Sequence, residues 1–484
     1  MRPGRALSSS SSSVSNLVQT SASQRAVQTG TQLPARTETG LPASQVSVED
    51  EPGAMPVSGG LWLLAVAAAI AGSLTGLIGV LFQLTLEWAD GARSMLLAFA
   101  HQFPQWGLLI PVVVAALCVG LARYLVRFAA YSAGSGVQHV EAVMRGESEP
   151  ASPSVIPVKF VGGALAIGAG MALGREGPTV QIGSVVGSML ARWLRMEPAD
   201  LRALQAAAAG AGLAVAFNAP TAGVAFVFEE LARRISPRLT VATLIVCGIA
   251  IAVARLLLGN RPVFTVGAIA APAFWTLAIY LLFGTLLGAG GVVYNRAIIT
   301  GLDLFERATW LPVEVRAAAI GGVVGAVGWF APAVVGGGEA MNAQILAGKL
   351  SLATLALLCV ARWFFGPFSY AAETPGGLFA PLLVVGALFG ALFGGIVAPW
   401  FPGQIQPTAF AMVGMAAFYT AVVRSPLTGI LLVVEMTANT VLLVPLLIAC
   451  FGAMLVAELL RGMPIYDTLR LRMLQAEAHT AGAG

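Results

Sequence analysis

The sequence has little charge. Only 10% of its 484 residues are charged, against roughly 25% in ordinary soluble domains. The 27 basic and 23 acidic residues leave a formal charge of only +4, whereas a nucleic-acid binder needs clustered Lys and Arg. These shortages exclude an ordinary soluble domain and a nucleic-acid-binding protein.

Residues that build metal and redox centres are also scarce. There are three histidines, too few for a histidine-rich metal centre. The cysteines stand far apart in apolar runs and form no CxxC pair, so we interpret them as small core residues: Cys118, Cys247, Cys359 and Cys450. No HExxH motif or Gly-Lys-Ser/Thr phosphate loop supports a metalloprotease or a nucleotide-driven pump. We therefore expect no metal, no cofactor and no enzymatic activity.

Apolar residues, by contrast, make up 57% of the chain, together with 56 glycines and 27 prolines. Glycine and proline are frequent in membrane helices, where neighbouring helices can satisfy interrupted backbone. The composition therefore predicts an all-α, polytopic membrane protein embedded in a lipid bilayer.

Apolar runs follow one another from Leu61 onward. They are 61–86, 108–128, 160–173, 201–228, 241–258, 275–293, 317–332, 352–360, 378–397, 409–423 and 441–459. A spanning helix needs about 20 apolar residues, and several runs are shorter or interrupted by Gly or Pro. Short and broken segments are expected where half-helices end at a binding site inside the membrane. The spacing of Gly72, Gly76 and Gly79 predicts close helix packing.

Residues 1–57 differ from the rest, with a serine run at Ser8–Ser13 and few large apolar residues. Such a segment cannot bury enough surface to fold alone, so we expect a disordered cytosolic tail. Its Arg- and Ser-rich start also resembles an organelle transit peptide in composition. We therefore divide the chain into a tail (1–57), a transmembrane transport domain (58–474) and a short C-terminal tail (475–484).

The chain carries an internal duplication, with a first repeat over about 61–258 and a second over about 270–460. Three ordered matches support it: Gly134–Gly136 with Gly336–Gly338, 202 positions on; Gly174 and Pro178 with Gly377 and Pro381, 203 positions on; and Asn218–Gly223 before Glu229 with Arg424–Gly429 before Glu435, 206 positions on. Duplicated halves are typical of transporters that bind substrate between the halves near the bilayer midplane.

The two repeats differ in their polar residues. Ser135 aligns with Gly337 and Glu176 aligns with Phe379, so only the first repeat supplies a hydroxyl and a carboxylate. This asymmetry points to the site.

Two glycine-rich motifs precede apolar segments at equivalent places, residues 174–178 (Gly-Arg-Glu-Gly-Pro) and residues 376–381 (Gly-Gly-Leu-Phe-Ala-Pro). Glycine lets backbone N–H groups approach a ligand, and the free N–H groups of a helix start attract anions. Two such starts facing each other would cradle an anion. The alternative is two ordinary helix N-termini, with Glu176 as a first-turn acid favoured by the helix dipole.

Glu176 is an ionisable residue at membrane depth, which is a functional hypothesis by default. Our hypothesis is that ionised Glu176 occupies the anion site and leaves it when protonated. Proton and anion movements would then be coupled.

A second acidic pair, Glu229 and Glu230, closes an apolar run just before Arg233, Arg234 and Arg238. Adjacent helical residues point about 100° apart, so we expect only one of the two glutamates to face an internal pathway. The alternative is a pair of interfacial acids bound to the arginines.

Other polar residues leave two interpretations open. Tyr466 could donate to an anion or sit at the membrane interface, where tyrosine is common. Ser135 could be an anion ligand or could cap the helix that runs through Met144. Lys159 and Arg175 could attract anions or extend toward the headgroups.

These motifs strongly resemble the CLC family of chloride channels and chloride/proton antiporters, over about Leu61–Leu474. Residues 174–178 match the family's gating-glutamate motif and residues 377–381 its second anion-site motif, in order and spacing with Ser135 and Tyr466. The supporting motif residues are Gly134, Gly136, Gly174, Arg175, Gly177, Pro178, Gly377 and Pro381.

The resemblance implies two inverted helical repeats with broken and half-spanning helices, and a homodimer with one pathway per subunit. It implies that Ser135 and Tyr466 bind the central anion through their hydroxyls, while Leu378 and Phe379 do so through backbone N–H groups. The partners it implies are chloride and protons.

The resemblance also implies the proton route. Glu176 corresponds to the external gate, and Glu230 to the internal proton-transfer glutamate of exchangers, which channels usually lack. We therefore expect an antiporter. A passive voltage- or pH-gated chloride channel of the same fold is the nearest alternative.

The chain departs from the family pattern after Gly136, where Val137 and Gln138 replace the usual Ile-Pro, so we expect the start of that helix to be shaped differently. Ser135 resembles chloride-preferring members, and the intact motif argues against the fluoride-exporting branch. The end at Gly484 leaves no room for a cytosolic nucleotide-binding domain. A compact form in a bacterial inner membrane is therefore expected.

An unrelated alternative is an intramembrane serine hydrolase using Ser135 with His139, four residues on. No orienting acid stands at a recognisable spacing, so this alternative has little support.

Overall fold

The computed structural model describes residues 58–482, so the predicted tail over residues 1–57 lies outside the described residues. Regular structure between these bounds is helical, apart from one isolated bridge. The α-helices are α1 (Ser58–Ala100), α2 (Leu109–Leu125), α3 (Val137–Arg145), α4 (Val155–Gly168), α5 (Glu176–Trp193), α6 (Pro198–Phe217), α7 (Pro220–Phe226), α8 (Pro237–Leu258), α9 (Leu277–Arg307), α10 (Val313–Phe330), α11 (Glu339–Leu346), α12 (Leu352–Tyr370), α13 (Phe379–Val397), α14 (Pro407–Val423), α15 (Pro426–Thr437), α16 (Leu443–Leu459) and α17 (Ile465–Gly482).

Seven helical segments in the described part are long and apolar enough to cross a membrane. They are Gly60–Ala100, Leu109–Phe128, Pro237–Leu258, Phe274–Arg307, Val313–Phe330, Leu352–Tyr370 and Phe379–Trp400. The chain is thus an integral, multi-pass membrane protein, as the composition predicted.

Several helices extend beyond the predicted apolar runs. The run 61–86 becomes α1, which continues to Ala100 through a charged stretch at 87–93 and a second apolar stretch at 95–100. At 1.5 Å per residue, its 43 residues make α1 about 65 Å long. The segment 475–482, predicted as a tail, continues α17 as helix.

Short helices occur at equivalent places in the two repeats. Helices α3 and α11 contain nine and eight residues, and α7 and α15 seven and twelve. Gly136 and Gly338 precede α3 and α11 with φ of 86° and 98°, a conformation that favours glycine. Pro220 and Pro426 begin α7 and α15, where proline is well suited to a first turn. The predicted broken helices are confirmed.

Helix pairing follows the duplication. Helix α5 packs on α6 as α13 packs on α14, and α1 packs on α8 as α9 packs on α16. Gly174 and Gly377 form an antiparallel bridge. An antiparallel contact between equivalent positions indicates a local two-fold relation, in agreement with the predicted repeats of inverted topology.

The core lies along α6 and α14, whose residues are buried on almost every face. Close packing is confirmed at Gly72 and Gly76, where an added Cβ would lie 2.7 Å from a backbone oxygen of α8. Cys247, Cys359 and Cys450 are buried as predicted, whereas Cys118 is partly exposed. That exception arises because Cys118 lines an apolar groove of about 480 Å³ between α1, α2, α4 and α10.

Candidate anion-binding site

Three loops meet where the two repeats cross. The N–H of Gly174 donates to the carbonyl of Gly377 at 2.9 Å, and the N–H of Gly377 returns a bond of 2.7 Å to Gly174. The N–H of Gly376 donates to the carbonyl of Gly134 at 3.1 Å. The predicted site motifs are thus brought together, although they are about 200 residues apart in the chain.

The loops at this crossing lie so close together that only glycine fits at their contacts. A Cβ on Gly177 would lie 2.7 Å from Ser135 Oγ and 2.9 Å from the Cα of Gly377. A side chain there would force the loops apart, since such contacts are shorter than packed atoms allow.

Glu176 is fully buried at the first turn of α5, but its carboxylate reaches the other repeat. Oε1 accepts the N–H of Ala380 at 3.3 Å, and the N–H of Phe379 also points toward the carboxylate. Oε2 has no hydrogen-bond partner among the described residues. The carboxylate therefore occupies the N-terminus of α13, where free N–H groups favour negative charge. Leu378 immediately precedes this helix.

Two hydroxyls lie near this carboxylate. Ser135 and Tyr466 are both fully buried, and within the described region neither hydroxyl has a hydrogen-bond partner. Tyr466 lies close enough to interact with both Ser135 and Glu176. The capping alternative for Ser135 is wrong, because α3 begins after Gly136 without a side-chain cap. The interfacial alternative for Tyr466 is also wrong, since its side chain is enclosed.

Lys159 and Arg175 do not extend toward headgroups. The ammonium of Lys159 is fully buried and donates to the carbonyls of Gly134 at 2.7 Å and Ser135 at 3.0 Å. Arg175 donates to the carbonyl of Ala216 at 2.8 Å, and its guanidinium lies 3.1 Å from Glu339. Both cations hold the backbone around the site.

A third buried cation, Arg362, was missed by the sequence analysis. It lies on α12, 203 positions after Lys159, and donates to the carbonyl of Gly336 at 2.8 Å. Gly336 belongs to the repeat-equivalent of the loop that Lys159 holds. Adding the 203-residue offset between the repeats to Lys159 would have identified Arg362 from the sequence.

The acidic pair divides as predicted. Glu230 is 1% exposed; its Oε2 accepts the hydroxyl of Ser425 at 2.6 Å. Glu229 instead accepts the N–H groups of Leu427 at 3.0 Å and Thr428 at 2.8 Å, so it caps the start of α15. The alternative of two interfacial acids paired with arginines is wrong for Glu229.

An ionic cluster beside Glu230 was not predicted. Buried Glu141 lies 3.3 Å from Arg145 and 3.0 Å from Arg233, and both arginines also pair with Asp467, at 2.8 and 3.1 Å. Burial raises the pKa of Asp467, but its contacts with Arg470, Arg233 and Arg145 lower it more, so that the net pKa lies below its ordinary value. The cluster ties α3 to α17, the helices next to Ser135 and Tyr466.

Aromatic side chains lie between the two buried glutamates. The ring of Phe379 is 4.9 Å from that of Tyr419 and 5.9 Å from that of Tyr466. Tyr419 lies near enough to interact with both Glu176 and Glu230. The rings of this cluster, with the buried hydroxyls of Tyr419 and Tyr466, thus lie near both carboxylates.

The hydrolase pairing is not formed. The Nε2 atom of His139 lies 3.1 Å from the carbonyl oxygen of Glu149, and its ring stacks on Tyr131 at 4.1 Å. His139 is therefore engaged away from Ser135, and the hydrolase prediction is not supported.

Comparison with known proteins identifies the family of the chain. Residues 117–458 match the family described as voltage gated chloride channel. The chain is 39% identical over 426 residues to the H(+)/Cl(-) exchange transporter ClcA of Vibrio parahaemolyticus, covering 85% of this chain and 90% of that protein. It is 38% identical over 417 residues to the exchange transporter ClcA of Salmonella typhi, covering 84% and 88%.

Solved structures are similar as well. A slow cyanobacterial Cl-/H+ antiporter superposes with a TM-score of 0.82 at 33% identity, covering 85% of this chain and 98% of that one. A CLC-type fluoride/proton antiporter superposes with a TM-score of 0.69 at 19% identity, covering 84% and 97%. The second likeness shows the fold alone.

Proposed function

The chain belongs to the voltage gated chloride channel family, and from this membership we propose that it is a chloride/proton antiporter. Its curated relatives are named H(+)/Cl(-) exchange transporters, and a similar solved structure is a Cl-/H+ antiporter. Antiport is thus favoured over a passive channel.

In this proposal, chloride binds where the two repeats cross. The hydroxyls of Ser135 and Tyr466 donate to it from one side, and the backbone N–H groups of Leu378 and Phe379 donate from the start of α13. The support is that both hydroxyls are buried without a partner among the described residues, since buried polar groups are normally paired.

Glu176 is the gate. The observation that carries the proposal is its carboxylate at the N-terminus of α13, accepting the N–H of Ala380. An ionised carboxylate and a chloride ion compete for the same N–H groups. Protonation removes the charge that this helix start stabilises, so the side chain leaves and chloride enters.

Glu230 takes protons from the other side of the membrane in this proposal. It is buried yet lies next to the ionic cluster that includes Arg233, at 3.9 Å. In this proposal protons pass between Glu230 and Glu176, which both lie near Tyr419, while chloride passes Ser135. Separate routes that converge at Glu176 would couple the two ions.

The remaining organisation is also proposed. We assign residues 58–474 to transport and residues 1–57 to a separate tail. Assembly as a homodimer with one pathway per subunit is supported by the resemblance to the family. Location in a bacterial inner membrane is supported by the bacterial relatives. The mass of the purified protein in lipid nanodiscs tests the dimer.

The test uses purified protein in liposomes with an outward chloride gradient, a potassium ionophore to clamp voltage, and a pH electrode outside. Antiport requires chloride efflux to drive protons inward, so the medium should become alkaline. Glu176→Gln, which keeps the shape but cannot ionise, should abolish proton movement. Glu458→Gln is the control, because the Glu458 side chain is 60% exposed and its partner Arg424 keeps its bonds to the carbonyls of Ala421 and Gly462 when the carboxylate is lost.

Chloride flux without proton movement in the wild type would make the protein a channel. Intact proton movement in Glu176→Gln would remove Glu176 from the mechanism.

A further inference from the structure

We propose that Tyr370 supplies a third side-chain hydroxyl to the central anion, beside those of Ser135 and Tyr466. The inference rests on the proposed function, since it assigns an additional ligand to the same site. The ligand is a monovalent inorganic anion such as chloride or bromide.

Tyr370 is the last residue of α12 and is 3% exposed. Its hydroxyl oxygen accepts the backbone N–H of Ser135 at 3.3 Å, which places it beside the residue that carries the first proposed anion hydroxyl. Tyr466 also lies close enough to interact with Tyr370. Three hydroxyls from α12, α17 and the loop at Ser135 therefore converge.

Hydrogen-bond accounting shows what the third hydroxyl lacks. A tyrosine hydroxyl can accept through oxygen and donate one proton. The bond from Ser135 uses the oxygen as acceptor, so the O–H proton still needs an acceptor, and no described residue accepts it within hydrogen-bond geometry. A buried O–H without an acceptor is costly. We therefore expect a bound ligand to supply the acceptor for the Tyr370 hydroxyl.

The polar groups around the Tyr370 hydroxyl favour an anion as this acceptor. The carbonyls of Gly134 and Ser135, in the loop that Tyr370 contacts, already accept from the Lys159 side chain at 2.7 and 3.0 Å. The hydroxyls of Ser135 and Tyr466 also have no partner in the described part of the chain. This space therefore collects three O–H donors beside the unpaired Oε2 of Glu176, and an anion that replaces this carboxylate when the gate opens accepts from the three O–H groups.

Sequence comparison between the repeats gives no hint of this role. The residue 203 positions before Tyr370 is Ile167, which is apolar, and Tyr370 lies outside the glycine motifs. Only the fold brings the end of α12 against the loop at Ser135.

The test measures chloride binding to the purified full chain by isothermal titration calorimetry. Tyr370→Phe keeps the ring and removes the hydroxyl. Because a hydrogen bond to a charged group is strong, the chloride Kd should rise about 10- to 100-fold.

Tyr294→Phe is the matched control. Tyr294 is fully buried and its hydroxyl also has no partner within residues 58–482, but its ring packs against Trp363 and Phe418. This variant should keep the wild-type chloride Kd. An equal effect in both variants would overturn the inference, because it would reflect the loss of any buried hydroxyl.

The outcomes separate the inference from the proposed function. If wild type and Tyr370→Phe bind chloride equally while the variant unfolds at a lower temperature, Tyr370 only holds the Ser135 loop and the inference is wrong. If wild type binds no chloride, the proposed function fails first. Crystals of wild type soaked in bromide give a test without mutation: an anomalous peak within hydrogen-bond distance of the Tyr370 hydroxyl supports the ligand, and a peak beside Ser135 but beyond reach of Tyr370 overturns it.

Discussion

Two glutamates, one in each repeat, each cap a helix of the other repeat. These reciprocal caps allow a quantitative prediction of the free energy of unfolding. Glu435, at the end of α15, accepts the N–H of Thr221 at 3.1 Å through Oε1 and the N–H of Ala222 at 3.0 Å through Oε2. It thereby caps α7, just as Glu229 caps α15. Both oxygens are used, so Glu435→Gln must place an NH₂ group against one N–H donor.

The cost follows from the number of bonds lost. A hydrogen bond to a charged group contributes about 1.5–3 kcal/mol, against about 1 kcal/mol for a neutral pair. Glu435→Gln loses one charged bond and weakens the other. Because Glu435 is only partly buried, we take the low end and expect a loss of roughly 2–3 kcal/mol in the free energy of unfolding.

Glu229→Gln should cost at least as much. Glu229 accepts three bonds, from the N–H of Leu427 and from the N–H and hydroxyl of Thr428, the last two at 2.8 Å. Glu458→Gln is the control, since the Glu458 carboxylate is 60% exposed and Arg424 keeps its bonds to the carbonyls of Ala421 and Gly462 without it. A largely exposed carboxylate in such a pair contributes about 0–1 kcal/mol.

The assay is equilibrium unfolding in detergent at one fixed chloride concentration, because a bound ligand would otherwise shift the apparent stability. Intact chloride flux in liposomes would show that each variant reaches the native fold. If Glu435→Gln costs no more than Glu458→Gln, the reciprocal caps do not stabilise the contact between the repeats and the reasoning is refuted.

Two further predictions concern Glu230 and Asp467. Glu230→Gln should keep chloride flux but lose uphill proton movement in the liposome assay, because the amide can still accept from Ser425 but cannot carry a proton; persistent proton uptake would exclude Glu230 from the route. Asp467→Asn should be less stable than wild type at pH 7. The pKa of Asp467 is lowered in the fold, so its contribution is present at neutral pH and is lost as pH falls through that lowered value, below about pH 4. The difference in unfolding free energy between variant and wild type should therefore shrink in strongly acidic buffer, and a difference that is constant with pH would contradict this.

The duplication was predictable from sequence because it rests on glycine and proline positions. Gly136 and Gly338 both adopt positive φ, and few other residues tolerate that conformation. Backbone requirements of this kind leave a readable pattern in the sequence.

Helix lengths were less predictable. Hydrophobic runs mark the apolar layer, but α1 and α9 continue as helix beyond it. Propensity and capping decide where a helix ends, and polar residues outside the membrane obey the same rules as in soluble proteins.

The different surroundings of two neighbouring glutamates also became visible only in the fold. Glu229 and Glu230 are identical side chains in sequence, yet one caps α15 and the other is enclosed. The turn from Val227 to Leu231 is π-helical, and that local geometry sends the two side chains to different surroundings.

The sequence was enough to establish a membrane protein built from two repeats, and it predicted a site at Ser135, Glu176 and the glycine motifs. Low charge and long apolar runs exclude a soluble protein. Where two backbone segments approach closely, few residues other than glycine fit, so the motifs are visible in the sequence. The tertiary structure alone decided that the carboxylate of Glu176 lies at the start of α13 and that Tyr370 and Arg362 join the buried polar groups. Those contacts join residues far apart in the chain, and their energies depend on distances of a few ångströms that no local pattern records.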